Sequence, residues 1–221
     1  MVVADSNFNW KAMKLLLVGA TGLVGREVLR LALADARVST VVAPVRKALP
    51  PHAKLHAPLV DFDQLPPGAP WWQAHAVICT LGTTMKVAGT RQAFLRVDHD
   101  YPLAVARLAL AAGTRTYALN SAAGANAASR IFYNRVKGEL ERDLEQLGFA
   151  SLTHVRPGLI GGERDVARAG EGAALRLLRV LGPVLPRRWR INPAPRIAQA
   201  LLEAALAGAP GVHIVSPEQL A

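Results

Sequence analysis

The sequence predicts an α/β protein whose doubly wound parallel sheet of about seven strands is covered by helices on both faces. Short apolar runs, which suit buried parallel strands, alternate with helical patterns as far as residue 156. Strands that alternate with helices are joined by right-handed crossovers and therefore pair in parallel. The length of 221 residues fits one α/β domain, and the hydrophobic content of 51% is ample for its core.

The individual elements follow from these patterns in chain order. The predicted strands are 14–18, 38–42, 54–59, 76–79, 116–120, 151–156 and 212–215. The predicted helices are 26–34, 97–112, 129–147 and 196–207. Gly113 and Gly148 end the second and third of these helices. Beyond Pro157 the rhythm breaks, and residues 163–195 hold one apolar helix, near 173–181, in a chain rich in Gly, Pro and Arg.

The domain organisation follows from the same patterns. Residues 1–12 are polar and unperiodic, and we predict a flexible N-terminal arm there. Residues 13–221 form the single predicted domain, in which 163–195 is a small substrate-side insertion near the C-terminus. Met13 directly precedes the first strand, so the arm is either part of the native start or an extension before it.

The chain is strongly basic, with a formal net charge of +10. Its arginines are mostly scattered rather than gathered into a stripe with interleaved aromatic residues, so nucleic-acid binding is not expected. We interpret most of this charge as solvated surface, and an anionic substrate or partner is the alternative.

Composition also limits the compartment and the metal chemistry. No segment has the ~18 uncharged apolar residues of a membrane span, and the N-terminus lacks the apolar core of a secretory signal. The single cysteine, Cys79, excludes an internal disulfide. No Cys/His cluster has the spacing of metal ligands, so no metal site is expected. These observations favour a cytoplasmic protein.

A glycine-rich turn follows the first predicted strand. Gly19, Gly22 and Gly25 are spaced three apart between a buried strand and an amphipathic helix. The first glycine permits a tight turn, the second lets backbone N–H groups approach a pyrophosphate, and the third packs helix against strand. The helix N-terminus adds its partial positive charge. The turn predicts a dinucleotide site in a Rossmann-type fold, and a turn that merely packs tightly is the alternative.

The end of the second strand favours NADP(H) over NAD(H). A carboxylate at this position binds the ribose 2′-hydroxyl of NAD, whereas a basic residue accommodates the 2′-phosphate of NADP. Residues 42–47 contain no acid and include Arg46 and Lys47. The guanidinium of Arg46 can contact a phosphate at two points, although a solvated surface role remains the alternative for both residues.

Tyr133 and Lys137 form the candidate reactive pair. At i and i+4 they project from the same face of the predicted helix 129–147. A free phenol has a pKa of about 10, and a neighbouring ammonium stabilises its ionised form. Ser121, twelve residues before the tyrosine, could hold a carbonyl oxygen beside the phenol. The alternative is a structural tyrosine on a packed helix with a lysine that reaches to solvent.

With the glycine turn GATGLVG, Ser121 and YNRVK in this order, the chain resembles the short-chain dehydrogenase/reductases (SDRs). The GxxGxxG spacing and the short length resemble the atypical branch. Segments 79–84, 96–101, 136–139 and 156–158 are similar to the Tat-interacting-protein group of NADPH-binding atypical reductases. This similarity runs from about residue 13 to 161 and fades through 163–195.

The resemblance implies roles for further positions. The pyrophosphate would be held by Gly19, Thr21, Gly22, Leu23, Val24, Gly25 and Arg26, and the 2′-phosphate by Arg46. Adenine would contact Asp61 and Phe62, the adenosine ribose Leu81, Gly82 and Thr83, and the nicotinamide side Pro157, Leu159 and Ile160. Ser121, Tyr133 and Lys137 match the catalytic trio, and the last two also contact the cofactor.

Two departures from the family pattern stand out. Pro44 and Val45 occupy positions where the family usually has Gly-Arg, so the 2′-phosphate site depends on Arg46. Asp98 lies where many relatives have an asparagine that orders a water of the proton relay.

The function expected from this resemblance is NADP(H)-dependent reduction of a carbonyl or quinone-type substrate, or the reverse reaction. One alternative is an NADP(H)-sensing regulatory or assembly protein that binds a protein partner with little turnover. A second alternative is an NAD(P)-dependent epimerase or dehydratase, for which the insertion 163–195 is short.

Overall fold

A computed structural model describes residues 12–161 and 191–221 of the chain. Seven strands form one sheet: β1 Met13–Val18, β2 Val38–Val42, β3 Leu55–His56, β4 Ala76–Cys79, β5 Thr116–Asn120, β6 Ser151–Val155 and β9 Gly211–Val215. Two short strands, β7 Ile160–Gly161 and β8 Asn192–Pro193, pair separately. The predicted arm and the predicted helix 173–181 lie outside the described residues, as does most of the predicted insertion.

The α-helices of the described residues are α1 Leu23–Ala34, α2 Met85–Ala88, α3 Arg91–Leu95, α4 Tyr101–Ala111, α5 Phe132–Leu147 and α6 Ala194–Ala207. A 3₁₀ turn covers Pro70–Trp72, and a π-helical turn, Arg96–Asp100, joins α3 to α4. None of the helices in the described part of the chain is long and apolar enough to cross a membrane.

The sheet has the order β3-β2-β1-β4-β5-β6-β9, and all of its strand pairs are parallel. This order confirms the predicted Rossmann-type sheet of seven strands. The strands that follow one another in the chain are added to one side of β1 as far as β3 and to its other side from β4 onwards, so the strand order reverses between β1 and β4. In such sheets ligands bind at the carboxyl ends of the strands beside this reversal. The glycine turn follows β1, and the segment 80–84 follows β4, so both lie at this edge.

The core consists of two layers, one on each face of the sheet. Leu15 and Leu17 of β1 face the layer that includes α1 and α6. Leu16 and Val18 face the layer that includes α4 and α5. Successive side chains of a strand point to opposite faces, so a continuous apolar run is what a doubly covered strand requires.

Several element boundaries differ from the prediction. The third strand is only Leu55–His56 instead of 54–59, although Val45 and Leu59 form an isolated parallel bridge beyond it. Helix α5 begins at Phe132 rather than at 129, because Ser129 Oγ accepts the N–H of Ile131 in a local turn. The predicted helix 97–112 begins as a π-helical turn, in which the N–H of Tyr101 bonds the Arg96 carbonyl.

Candidate active site

The glycine turn has the geometry of an anion cradle. Gly19 has φ +87°, and its carbonyl accepts the N–H of Gly22 at 3.0 Å. A Cβ on Gly25 would overlap this same carbonyl, so helix α1 could not pack as closely with any other residue. Gly22 caps α1 without a side-chain hydrogen bond, which leaves the first N–H groups of the helix for a ligand.

The predicted cofactor residues around this turn differ in exposure. The side chain of Val24 is buried in the core, so Val24 can contribute only backbone, whereas Thr21 and Arg26 are exposed. Arg46 is exposed just beyond β2, as a 2′-phosphate ligand must be. Residues 42–47, which include Arg46, contain no acidic residue. The glycine turn fits the pyrophosphate of a dinucleotide cofactor.

Of the predicted adenine pair, only Asp61 has an exposed side chain. Its Oδ1 accepts the N–H of Asp63 in a local turn at 2.9 Å. Phe62 is 9% exposed, and its ring lies 5.6 Å from that of Tyr101. The ring of Phe62 therefore belongs to the core, although an open cavity of about 510 Å³ lies beside it and Tyr101.

Lys137 is buried and forms an ion pair with Asp98. Its Nζ lies 2.8 Å from Asp98 Oδ1, at ion-pair distance but without the alignment of a hydrogen bond. Asp98 Oδ2 accepts the N–H of Thr83 at 2.7 Å. A Cβ on Gly82 would lie 3.3 Å from Asp98 Oδ1, so the segment after β4 packs directly on this pair. The structure thus places Lys137 and Asp98 beside Gly82 and Thr83, the residues predicted to line the adenosine ribose.

The electrostatics of Lys137 depend on two opposing effects. Burial disfavours the ammonium, but the charge of Asp98, with a contribution from Tyr133, outweighs burial and raises the pKa of Lys137 above its ordinary value. The lysine is therefore a fixed cation at neutral pH. Sequence reasoning noted Asp98 only at a water-ordering position and missed its direct contact with the lysine.

Tyr133 lies one turn before Lys137 on α5 and is 38% exposed. Its ring packs against Phe94, with 5.8 Å between the ring centroids. The pair therefore shares a helix face as predicted, with the phenol at the surface and the ammonium inside.

Ser121 follows β5 directly and is 4% exposed. Its backbone N–H bonds the Val155 carbonyl at 2.7 Å, which fixes it beside the end of β6. Its hydroxyl donates to Glu141 Oε1 at 2.5 Å, and Arg156 in turn contacts Glu141. Sequence reasoning did not assign Glu141, although a spacing of four from Lys137 puts it on the same side of α5.

The predicted nicotinamide segment lies after β6 and is held by Asn192. The side-chain oxygen of Asn192 accepts the N–H of Gly158 at 2.7 Å, and its backbone N–H bonds the Leu159 carbonyl. Pro157 is buried, whereas Leu159 is 49% exposed and Ile160 is in β7. Asn192 was not predicted, because its partner segment is distant in sequence. No group of three His, Cys, Asp or Glu within residues 12–161 and 191–221 could hold a metal ion.

The parallel sheet, the glycine turn after β1 and the Tyr133–Lys137 pair define the class of short-chain dehydrogenase/reductases. No family model matches the chain. It is 34% identical to the Protein HTATIP2 of Rattus norvegicus over 204 residues, which cover 89% of this chain and 82% of that protein. It is 36% identical over 207 residues to the mitochondrial Protein fmp52 of Aspergillus fumigatus, covering 86% of each. The chain therefore belongs to the HTATIP2/FMP52 family, the Tat-interacting-protein group of the atypical SDRs.

Solved structures share the fold at low sequence identity. MoeE5 in complex with UDP-glucose and NAD has a TM-score of 0.70 at 15% identity, covering 92% of this chain and 75% of MoeE5. The oxidoreductase ylbE from Lactococcus lactis has a TM-score of 0.65 at 18% identity, covering 94% of this chain and 95% of ylbE. Both similarities confirm the Rossmann-type architecture.

The comparison overturns the expected cytoplasmic location. Several fungal relatives that are 34–37% identical are named as mitochondrial proteins. The cytoplasmic prediction is wrong because it depended on a single cysteine and on a missing secretory signal. Both observations fit any reducing compartment and do not select the cytoplasm.

Proposed function

We propose that this protein is an NADP(H)-dependent oxidoreductase that reduces a carbonyl or quinone-type substrate, or catalyses the reverse oxidation. One observation carries this proposal. A half-exposed phenol, Tyr133, lies one helical turn from a buried cation, Lys137, which packs beside the segment after β4. A phenol and a fixed cation at the edge of a dinucleotide fold form a proton donor beside a cofactor.

The site residues have distinct roles in this proposal. The glycine turn and the uncapped N-terminus of α1 bind the pyrophosphate, and Lys137 bonds the nicotinamide ribose. Bound NADPH supplies the hydride. Tyr133 gives a proton to the oxygen of the reacting group, and Ser121 contacts that oxygen. The positive charge of Lys137 attracts the negative charge that develops on the Tyr133 oxygen as its proton leaves.

The preference for NADP(H) is supported by the end of β2. Arg46 is exposed there, and residues 42–47 contain no carboxylate that would bind a ribose 2′-hydroxyl or repel a 2′-phosphate. Fluorescence titration of the protein with NADPH and with NADH measures this preference directly. Tighter binding of NADPH is expected, and equal affinities would contradict the role given to Arg46.

Replacing Tyr133 with phenylalanine tests the enzymatic proposal. A panel of carbonyls and quinones, with UDP-glucose included because MoeE5 holds it, is followed by NADPH oxidation. Tyr133→Phe should lower turnover by about 10²–10⁴-fold, the usual contribution of general acid catalysis, and leave NADPH affinity unchanged. Turnover retained by this variant would refute the role of Tyr133.

Tyr117→Phe is the matched control, because Tyr117 is buried in the core and its hydroxyl donates to the Pro102 carbonyl. It should keep its turnover. Intact NADPH binding without turnover of any compound would refute the enzymatic proposal and favour an NADP(H)-sensing protein. A pulldown with and without NADPH would then identify the partner.

A further inference from the structure

The carboxylate of Glu141 contacts the hydroxyl of Ser121, and the proposed chemistry gives it no role. Glu141 lies on α5 one turn beyond Lys137, and only 3% of its surface is exposed. Its Oε1 accepts the hydrogen bond of the Ser121 hydroxyl at 2.5 Å. A buried carboxylate is costly unless it is paired and hydrogen-bonded, so its partners are essential to the site.

Arg156 holds this carboxylate from the end of β6. Its Nε donates to Glu141 Oε1 at 3.0 Å, and its Nη2 donates to Oε2 at 2.5 Å. Both oxygens of the carboxylate thus accept from the guanidinium, and the contact is an ion pair. A two-point contact between guanidinium and carboxylate also fixes the plane of the carboxylate.

The direction of the Ser121 hydrogen bond follows from this ionised pair. A carboxylate accepts hydrogen bonds and donates none, so the single hydroxyl proton of Ser121 goes to Glu141. The lone pairs of the Ser121 oxygen remain available to accept a hydrogen bond from a group bound in the site. Ser121 is therefore placed to accept a hydrogen bond rather than to donate one.

We propose that Glu141, clamped by Arg156, is a positioning residue that holds Ser121 as an acceptor for the hydroxyl of the substrate in its alcohol form. This proposal rests on the proposed oxidoreductase function. An alcohol has an O–H to donate to Ser121, whereas a carbonyl oxygen has only lone pairs and must depend on Tyr133 for a donor. The Ser121–Glu141 contact thus recognises the alcohol side of the reaction.

A double-mutant cycle tests whether Glu141 acts through Ser121. The variants are Ser121→Ala, Glu141→Gln and the two together, measured in the NADP⁺-dependent oxidation of the alcohol that corresponds to the most active carbonyl of the panel. Glu141→Gln should lower kcat for this oxidation about 10-fold, leave the KM for NADP⁺ within about twofold, and cost nothing further when Ser121 is already alanine. The same loss of kcat in both backgrounds would overturn the proposal, because a structural role is independent of Ser121.

Glu145→Gln is the matched control. Glu145 lies one turn further along α5 and contacts His154 instead of Ser121. It lines the same cavity of about 300 Å³ as Glu141 and Arg156, so its substitution tests for a general effect of charge there. Its kcat should be unchanged, and a loss equal to that of Glu141→Gln would overturn the proposal.

Two further measurements keep the test decisive. Glu141→Gln leaves Arg156 unpaired, so the double variant Glu141→Met with Arg156→Leu removes both charges and preserves the packing. Wild-type kcat in that folded variant would overturn the proposal, and an about 10-fold loss supports it.

The equilibrium constant of urea unfolding is also measured for the wild type, the two single variants and the double variant of Ser121 and Glu141, because this measurement needs no turnover. If the wild-type protein reduces no carbonyl at all, the proposed function fails and the role in alcohol recognition fails with it, whereas this second cycle still tests the contact that positions Ser121. A coupling of about tenfold between Ser121 and Glu141 supports the positioning contact, and additive effects overturn it.

Discussion

Two buried ion pairs meet helix α5 one turn apart, and they differ in how far solvent reaches them. The side chains of Lys137 and Asp98 are 4% and 1% exposed. In the second pair, the side chain of Glu141 is 4% exposed but that of Arg156 is 26% exposed. The first pair fixes a cation beside the segment after β4, and the second fixes an anion behind Ser121. One helix therefore supplies opposite charges to the two ends of one candidate site.

The difference in exposure separates two ways of holding a charge. Asp98 has the Thr83 N–H as a second partner, and its pair is sealed from water. Arg156 keeps part of its guanidinium side chain at the surface, so water can compensate for a lost partner. The cost of breaking each pair should follow this difference, because an uncompensated charge is most costly where solvent is excluded.

The largest expected effect is the loss of stability in Asp98→Asn. This change leaves the Lys137 ammonium buried without a counter-ion, and we expect the free energy of unfolding to fall by about 3–5 kcal/mol in urea denaturation. Adding Lys137→Met to the same variant removes the stranded charge and should recover most of the loss. A loss that Lys137→Met does not relieve would contradict the role of Asp98 as the counter-ion of Lys137.

A smaller effect is expected for Arg156→Gln, which breaks the second pair. Glu141 then loses its cation but keeps the Ser121 hydroxyl, and water reaches this side, so we expect a loss of about 1–3 kcal/mol. Arg37→Gln is the surface control. Arg37 contacts Asp35 and Glu203 with 35% of its side chain exposed, and its removal should cost less than about 1 kcal/mol. Equal losses for Asp98→Asn and Arg156→Gln would contradict the exposure argument.

The sequence predicted the parts of the molecule that depend on local patterns. The seven strands of the main sheet follow from short apolar runs, and the sheet order confirms them. The glycine turn follows from glycines at fixed spacing. The spacing of Tyr133 and Lys137 likewise placed both on one face of α5. These features are determined by residues within one or two turns of each other.

The partners inside the site could not be predicted in the same way. Asp98 reaches Lys137 from a π-helical turn, which has no periodic signature in the sequence. Asn192 meets Gly158 through the β7–β8 pairing, a contact between distant segments. Glu141 was within reach of sequence reasoning, because it extends the Tyr133–Lys137 spacing by one more turn. Its contact with Ser121 joins two residues that are 20 positions apart in the chain, so only the structure could show it.

The smallest expected effect concerns His154, whose side chain contacts Glu145 of α5. His154 lies on β6 with a fully buried side chain, and its Nε2 is 3.2 Å from Glu145 Oε1. Burial lowers the pKa of His154, which Arg156 also lowers, and this outweighs the opposite effect of Glu141 and Glu145. Because the folded pKa lies below the unfolded value near 6.5, the unfolded chain binds the proton first.

The resulting stability is complete above about pH 6.5 and is lost as the pH falls through the folded pKa of His154. We therefore expect the midpoint temperature of thermal unfolding to decrease, as the pH is lowered below about 6.5, more steeply in the wild type than in His154→Gln. Glu145→Gln separates the two causes, because it removes the neighbour that favours the charged imidazole and leaves the burial unchanged. The loss of thermal stability at low pH should then become steeper in Glu145→Gln than in the wild type. Identical pH profiles for all three proteins would show that His154 is not the group that titrates.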